Sequence, residues 1–142
     1  MALSIFQLRA MGGTVADIPL SNRVILTTAA WTPSTAETQK ALVAIQLFLE
    51  RPTSADRRSM GEIRQILRNA KFYRVQFQGV VQQKRKLIWC NFLPASPPGE
   101  IDRFGDWKRS AMIVSDGGFW FWRIAYDPAT GKCQDFWANG YA

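Results

Sequence analysis

The pattern of hydrophobic and polar positions changes its period near residue 71. Before that point apolar residues recur every three or four positions, which is typical of helices that bury one side. After it apolar and polar residues alternate over 71–81, and 119–127 is a ring-rich run with one charge in its middle; both patterns are typical of strands. Because helices come first and strands follow, the order predicts an α+β fold and not alternating β and α units.

Two consecutive helices, or one helix broken near Pro52, are predicted within 32–70. The first begins at a capping box formed by Ser34 and Glu37, with Pro33 suited to a first helical turn. The second follows an interruption at Pro52 and begins at a Ser59–Glu62 pair. The predicted buried positions are Ala41, Leu42, Ile45, Phe48 and Leu49 in the first helix and Ile63, Ile66 and Leu67 in the second.

The remaining residues predict a four-stranded antiparallel meander covered on one face by the helices. Residues 71–81 and 86–93 flank a basic tip and are predicted to form a hairpin, while 110–116 and 119–127 are predicted to meet at the turn Asp116-Gly117-Gly118. The run 22–28 is also compatible with a strand. The chain is predicted to be one domain over 1–142, with a flexible segment over 1–21, a helical part over 32–70 and the sheet over 71–142.

Alternation along the strands assigns one sheet face to the core and the other to contact with solvent or a partner. The predicted core face comprises Val75, Phe77, Ile88, Cys90, Phe92, Trp120, Trp122, Ile124, Tyr126 and Phe136. The opposite, polar–aromatic face comprises Arg74, Gln76, Gln78, Trp89, Asn91, Phe121, Arg123, Asp135 and Trp137. A meander covered on one side can leave the other in water. The alternative is that the N-terminal segment or a second copy of the chain covers it.

Rings interleaved with arginine and amide side chains can stack on a ligand and hydrogen-bond to it, so this face is the predicted binding surface. Its candidate binding residues are Arg74, Gln76, Trp89, Asn91, Arg123 and Trp137. A protein partner or self-association is the predicted use of this surface.

The net charge of +7 is concentrated in the middle of the chain. Residues 51–86 hold ten Lys or Arg against two acidic residues, a pattern that favours an acidic partner, either nucleic acid or an acidic protein face. The candidate nucleic-acid-binding residues are Arg57, Arg58, Arg64, Arg68, Lys84, Arg85 and Lys86. A solvated helix face with a basic hairpin tip explains the same charges without a ligand.

The chain contains no histidine, which removes Ser-His and Cys-His nucleophile pairs from consideration. The residues that remain for acid–base chemistry are Glu100, Asp102 and Asp106, in a loop over 94–106 that is also readily explained as a solvated connection. Cys90 and Cys133 are predicted to be buried free thiols, with a disulfide only where the strands bring them together. No cofactor or metal site is predicted.

The apolar runs of the sequence are all shorter than the roughly 20 residues that a membrane span needs. The first residues lack the early basic region of a signal peptide. A soluble protein, either cytoplasmic or exported, is expected.

The helix-then-meander order over 34–140 resembles the cystatin-like layout and, more loosely, the NTF2-like cone. The resemblance implies a fold, but Gln76-Phe77-Gln78-Gly79 departs from the Gln-x-Val-x-Gly hairpin of cystatin inhibitors and the chain has no Pro-Trp pair. Protease inhibition is therefore not implied.

The C-terminal segment also resembles the endings of small uncharacterised bacterial proteins. The residues that carry this resemblance are Val114, Asp116, Gly117, Gly118, Trp122, Tyr126, Asp127, Asn139, Gly140 and Ala142. It implies a fold and no activity. The sequence as a whole favours a non-enzymatic binding or inhibitor-type module, with nucleic-acid binding as the alternative and a carboxylate-based enzyme as the third class.

Overall fold

The computed structural model describes residues 4, 13–28, 30–53, 58–97 and 99–140. Within them the chain forms an α+β fold in which two helices lie on one face of a five-stranded mixed sheet. The helices are α1, Thr35–Glu50, and α2, Met60–Arg68. The strands are β1, Arg23–Leu26, β2, Tyr73–Gln82, β3, Arg85–Pro94, β4, Trp122–Asp127, and β5, Lys132–Ala138. They lie side by side in sequence order.

Helix α1 begins at the predicted capping box. The Ser34 backbone N–H donates to the Glu37 carboxylate at 2.9 Å, and the Glu37 N–H donates to the Ser34 hydroxyl at 3.1 Å. The predicted buried faces of both helices are confirmed, except that Phe48 is only partly buried. The second capping pair does not form, because Ser59 makes no side-chain capping hydrogen bond.

The α+β class is confirmed, whereas the prediction of a four-stranded, wholly antiparallel sheet requires two corrections. Residues 22–28 supply an additional edge strand, β1, which runs parallel to β2 and pairs Arg23 with Val75. Residues 110–116 do not form a strand, and the glycine pair is not a hairpin turn. Gly117 instead adopts a left-handed conformation with φ of 95° and leads into a 3-10 turn, Gly118–Trp120, before β4.

The predicted core face is confirmed. Its centre is an aromatic cluster in which the Phe92 and Trp122 rings stack with centroids 3.8 Å apart and Tyr73 meets both edge-on. Trp120 and Phe136 are partly buried against this cluster. Burying these rings beneath the helices leaves the alternate positions of the same strands on the opposite face.

A bulge in β5 places the last predicted binding residue. The register between β4 and β5 shifts between Arg123 and Ala125, and Asp135 adopts a φ of 58° there. The extra residue turns Phe136 towards the core, where its ring lies 5.9 Å from that of Trp122. Trp137 is thereby paired with Arg123 and its side chain is 57% exposed.

Both cysteines are free, as predicted, but only Cys90 is fully buried, whereas Cys133 is partly buried. Cys90 on β3 and Cys133 on β5 are separated by β4, so their backbones are two strand spacings apart, about 10 Å and beyond the reach of a disulfide. Burial raises the pKa of the Cys90 thiol well above its usual range and raises that of Cys133 to about 12. Both thiols are therefore protonated at neutral pH. None of the helices in the described ranges has the length and apolar character needed to span a membrane.

Candidate functional site

Residues 99–116, here called the crossing segment, cover part of the sheet face opposite the helices. Gln76 on β2 donates to the backbone carbonyls of Trp107 and Ser110, the latter at 2.7 Å. Its amide oxygen accepts from the Met112 N–H and from the Asn91 side chain, both at 2.9 Å. Gln76 is only 1% exposed, and this one side chain provides hydrogen-bond partners for three backbone groups of a segment that has no strand partner.

Arg74 holds the beginning of the crossing segment. Its guanidinium forms a two-pronged ion pair with the Asp102 carboxylate, with N–O distances of 2.6 and 2.7 Å, and donates to the Pro94 carbonyl. The Phe104 and Trp107 rings flank it at 5.6 and 5.1 Å. The hydrogen bonds from Arg74 lower the pKa of Asp102 to about 2.

Two asparagines hold the end of the crossing segment. Asn91 donates to the Met112 carbonyl at 2.9 Å, and Asn139, just after β5, donates to the carbonyls of Val114 and Asp116. Arg74, Gln76 and Asn91 are therefore occupied within the molecule by the crossing segment, which was neither of the two coverings considered from the sequence.

The other three predicted binding residues lie beside an open pocket of about 410 Å³, here called the Arg123 pocket. Gln78, Trp89 and Arg123 line it from the sheet, and Met112, Ile113 and Val114 line it from the crossing segment. The Arg123 guanidinium lies 5.9 Å from the centre of the Trp89 ring. Trp137 lies next to Arg123 across the β4–β5 pair.

The Arg123 pocket combines one charge with apolar walls. Arg123 is the only charged residue among its described lining residues, and neither Arg123 nor Gln78 has a side-chain hydrogen bond or ion pair within the described ranges. Both can therefore contact a ligand without first breaking an internal bond.

The candidate nucleic-acid-binding residues fall at two ends of the sheet. Helix α2, with Arg64 and Arg68, contacts the Gly118–Trp120 turn near the start of β2. Lys84 lies at the far tip of the β2–β3 hairpin, about 33 Å away along the ten residues of β2. These cations therefore do not form one continuous patch.

Two of the three hairpin-tip cations, Arg85 and Lys86, also have internal contacts. Arg85 forms an ion pair with the buried carboxylate of Asp127, and the Lys86 ammonium lies 5.4 Å from the Trp31 ring centre. Arg58, before α2, is exposed, and Arg57 lies outside the described residues.

The acidic residues of the crossing segment do not form a paired carboxylate site. Glu100 and Asp106 are exposed, and Asp102 is committed to Arg74 with a lowered pKa, whereas a general acid needs a raised one. The described ranges also contain no group of three Cys, Asp or Glu residues that could hold a metal ion.

A second cavity, of about 810 Å³, lies on the other side of the crossing segment and is called the Lys71–Arg103 cavity. It is lined by Lys71 and Phe72 from the 3-10 turn before β2, by Arg103 and Phe104, and by Trp120 and Phe121. Sequence reasoning missed this site because its walls come from five separate segments of the chain. The available signal was a repeated dipeptide, Lys71-Phe72 and Arg103-Phe104, in which a cation precedes a ring.

Comparisons of the chain with protein-family models, curated proteins and solved structures find no match. A functional assignment therefore depends on the two cavities and the residues around them.

Proposed function

We propose that this protein is a non-enzymatic binding module that takes an acidic peptide segment of a protein partner into the Arg123 pocket. The observation that carries the proposal is one guanidinium, next to the Trp89 ring and without an ion pair or side-chain hydrogen bond in the described part of the chain, set among apolar and amide side chains in a pocket of about 410 Å³. Pockets with mostly apolar walls and a few polar groups are typical of ligand sites.

The chemistry of the pocket walls indicates which peptide features fit. Arg123 favours a carboxylate, because a guanidinium offers a planar set of donors to both carboxylate oxygens. Trp89, Met112 and Ile113 offer apolar surface to a neighbouring side chain. The Gln78 amide can donate to and accept from a peptide group.

Trp137 extends the same surface beyond the pocket. Its ring is 57% exposed and lies beside Arg123, where a longer ligand would meet it. Tryptophan and arginine are the residues that most often dominate the energetics of protein interfaces. The cystatin-like layout and an inhibitor-type role belong to this proposal as predictions, and no protease is implied as the partner.

Replacing either Arg123 or Trp89, which both line the Arg123 pocket, is expected to weaken peptide binding. Arg123→Gln should weaken binding about 10- to 100-fold, because hydrogen bonds to charged groups contribute about 1.5–3 kcal/mol. Trp89→Ala should weaken it about 30-fold or more, the effect of losing an interface residue worth at least about 2 kcal/mol. Binding is measured by fluorescence anisotropy, with labelled peptides selected from a random library on the wild-type protein.

A matched arginine variant controls for the change in net charge. Arg109→Gln removes the same charge from an exposed position of the crossing segment that lines neither cavity, so it should bind as the wild type does. Selected peptides should lose affinity when their Asp or Glu is replaced by Asn or Gln. Equal binding by wild type, Arg123→Gln and Trp89→Ala would contradict the proposal.

Nucleic-acid binding, the alternative function, draws support from a different place in the molecule, the Lys71–Arg103 cavity, where cations and rings occur together. A carboxylate-based enzyme has no comparable support among the described residues.

A further inference from the structure

We infer that the Lys71–Arg103 cavity binds a nucleotide, either free or as part of a single-stranded nucleic acid, with its phosphate on the two cations and its base against the rings. The cavity and the proposed peptide site share one lining residue, Phe121, but neither Lys71 nor Arg103 lines the Arg123 pocket, so substitutions of these two cations test this inference separately from the proposed function. Its volume of about 810 Å³ lies in the range of small-molecule sites, roughly 300–1,000 Å³.

The charge of the cavity favours an anion. Lys71 and Arg103 are its charged lining residues within the described ranges, and no described carboxylate lines it. Neither cation forms an ion pair in those ranges. Two exposed cationic residues that line one cavity are suited to phosphate oxygens, which accept charge-assisted hydrogen bonds from both Lys and Arg.

The rings of the cavity favour a flat ligand body next to that anion. Phe72 is 50% exposed although it is a large apolar residue, and it stands beside Lys71, whose ammonium lies 5.4 Å from the ring centre. Phe104 has the same relation to Arg103, with the guanidinium 5.8 Å from the ring. Trp120 and Phe121 complete the wall. Cations interleaved with partly exposed rings are the general arrangement by which proteins bind nucleotides of single strands.

Hydrogen bonds within and beside the cavity fix the elements that form its walls. The Tyr73 hydroxyl donates to the Phe119 carbonyl, and the Ala95 N–H donates to the Phe72 carbonyl at 2.9 Å, which fixes two walls. The Phe121 ring lies so close to Gly117 that a Cβ there would be 2.5 Å from it. Glycine at 117 therefore permits both the left-handed turn and the position of the ring.

The test uses AMP, adenosine, inorganic phosphate and a fluorescent twelve-nucleotide single strand as probes. AMP and the oligonucleotide should perturb the resonances of Lys71, Phe72 and Arg103 in heteronuclear NMR spectra, and adenosine should bind at least tenfold more weakly than AMP. Affinity for the oligonucleotide should fall with added salt, as it does when phosphate contacts release counterions.

The decisive comparison is between two double variants, each of which removes two positive charges. Lys71→Gln/Arg103→Gln should weaken AMP or oligonucleotide binding at least tenfold, whereas Lys108→Gln/Arg109→Gln, outside the cavity, should not. Phe72→Ala should weaken binding at least fivefold by removing an exposed ring. All these side chains are exposed, so thermal unfolding midpoints should match that of the wild type.

The outcomes separate the two sources of the ligand. Comparable affinity for AMP and the oligonucleotide supports a free nucleotide, and affinity at least a hundredfold higher for the oligonucleotide supports single-stranded nucleic acid. Absence of binding by both probes, equal weakening by the two charge-matched pairs, or tighter binding of a tetraglutamate peptide would overturn the inference.

Discussion

Replacing Gln76 by leucine is expected to release the crossing segment from the sheet. The variant removes four hydrogen bonds at a side chain that is 1% exposed. Each buried polar group left without a partner costs about 1–3 kcal/mol. Because the segment can move towards water, we expect a loss of about 3 kcal/mol in the free energy of unfolding, measured by urea denaturation, and not the sum of all four costs.

Trypsin offers a direct measurement of this release. The crossing segment contains Arg103, Lys108 and Arg109, all exposed, and cleavage there requires the local backbone to open. Gln76→Leu should be cut at these positions at least tenfold faster than the wild type, and it should lose affinity for any peptide that needs the Met112 wall of the Arg123 pocket.

Two further variants show whether the effect is specific to the hydrogen bonds of Gln76 or follows from replacing any glutamine on the same face of the sheet. Gln78→Leu changes a side chain with no internal hydrogen bond in the described ranges and should alter stability by less than about 1 kcal/mol. Gln76→Glu keeps the acceptor but removes both donors, so it should resemble Gln76→Leu in trypsin sensitivity. Cleavage of Gln76→Leu at the wild-type rate would show that other contacts hold the segment.

The residue pattern predicted the two faces of the sheet because alternation is a local property of each strand. Val75, Phe77, Ile124 and Tyr126 were assigned to the core from their spacing alone, and they are buried in it. The α1 start was predicted for the same reason, since a capping box joins residues only three positions apart.

The sequence did not predict what covers the second face, because that depends on contacts between distant segments. Gln76 and Met112 are joined across 36 positions, and Arg74 and Asp102 across 28. In an alternating strand, a polar residue such as Gln76 is expected to face solvent. A buried amide whose donors and acceptor are all hydrogen-bonded is equally compatible with that pattern.

Strand β1 illustrates the same limit. Its residues have the pattern of a strand, but its parallel pairing with β2 depends on the path of the chain through the two helices between them. The spacing of apolar residues does not indicate that path.

Asp102→Asn is the second substitution expected to have a large effect, because it leaves a buried cation without its partner. Arg74 is 3% exposed, while Asp102 keeps 29% exposure. Breaking a fully buried pair costs about 3–5 kcal/mol. Because the carboxylate is partly solvated, we expect a smaller loss, about 2–3 kcal/mol in the free energy of unfolding at pH 7. Asp106→Asn, at an exposed carboxylate of the same segment, should cost less than about 0.5 kcal/mol.

The pH dependence identifies the charge as the cause. The pKa of Asp102 is lowered to about 2 in the folded protein, against about 3.9 in an unfolded chain. A lowered pKa means that the carboxylate contributes its full stability above about pH 4 and loses it as the pH falls towards 2. The difference in unfolding free energy between wild type and Asp102→Asn should therefore be constant from pH 7 to 5 and shrink between about pH 4 and 2.

Replacing both Arg74 and Asp102 tests whether the stability lost in Asp102→Asn is caused by the unpaired charge of Arg74. In Arg74→Met/Asp102→Asn the buried charge is gone, so the double variant should recover part of the stability that Asp102→Asn loses, as happens when apolar residues replace a buried ion pair. If the double variant is less stable than Asp102→Asn by a further 2 kcal/mol, Arg74 stabilises the protein mainly through its packing on Phe104 and Trp107, not through its ion pair with Asp102.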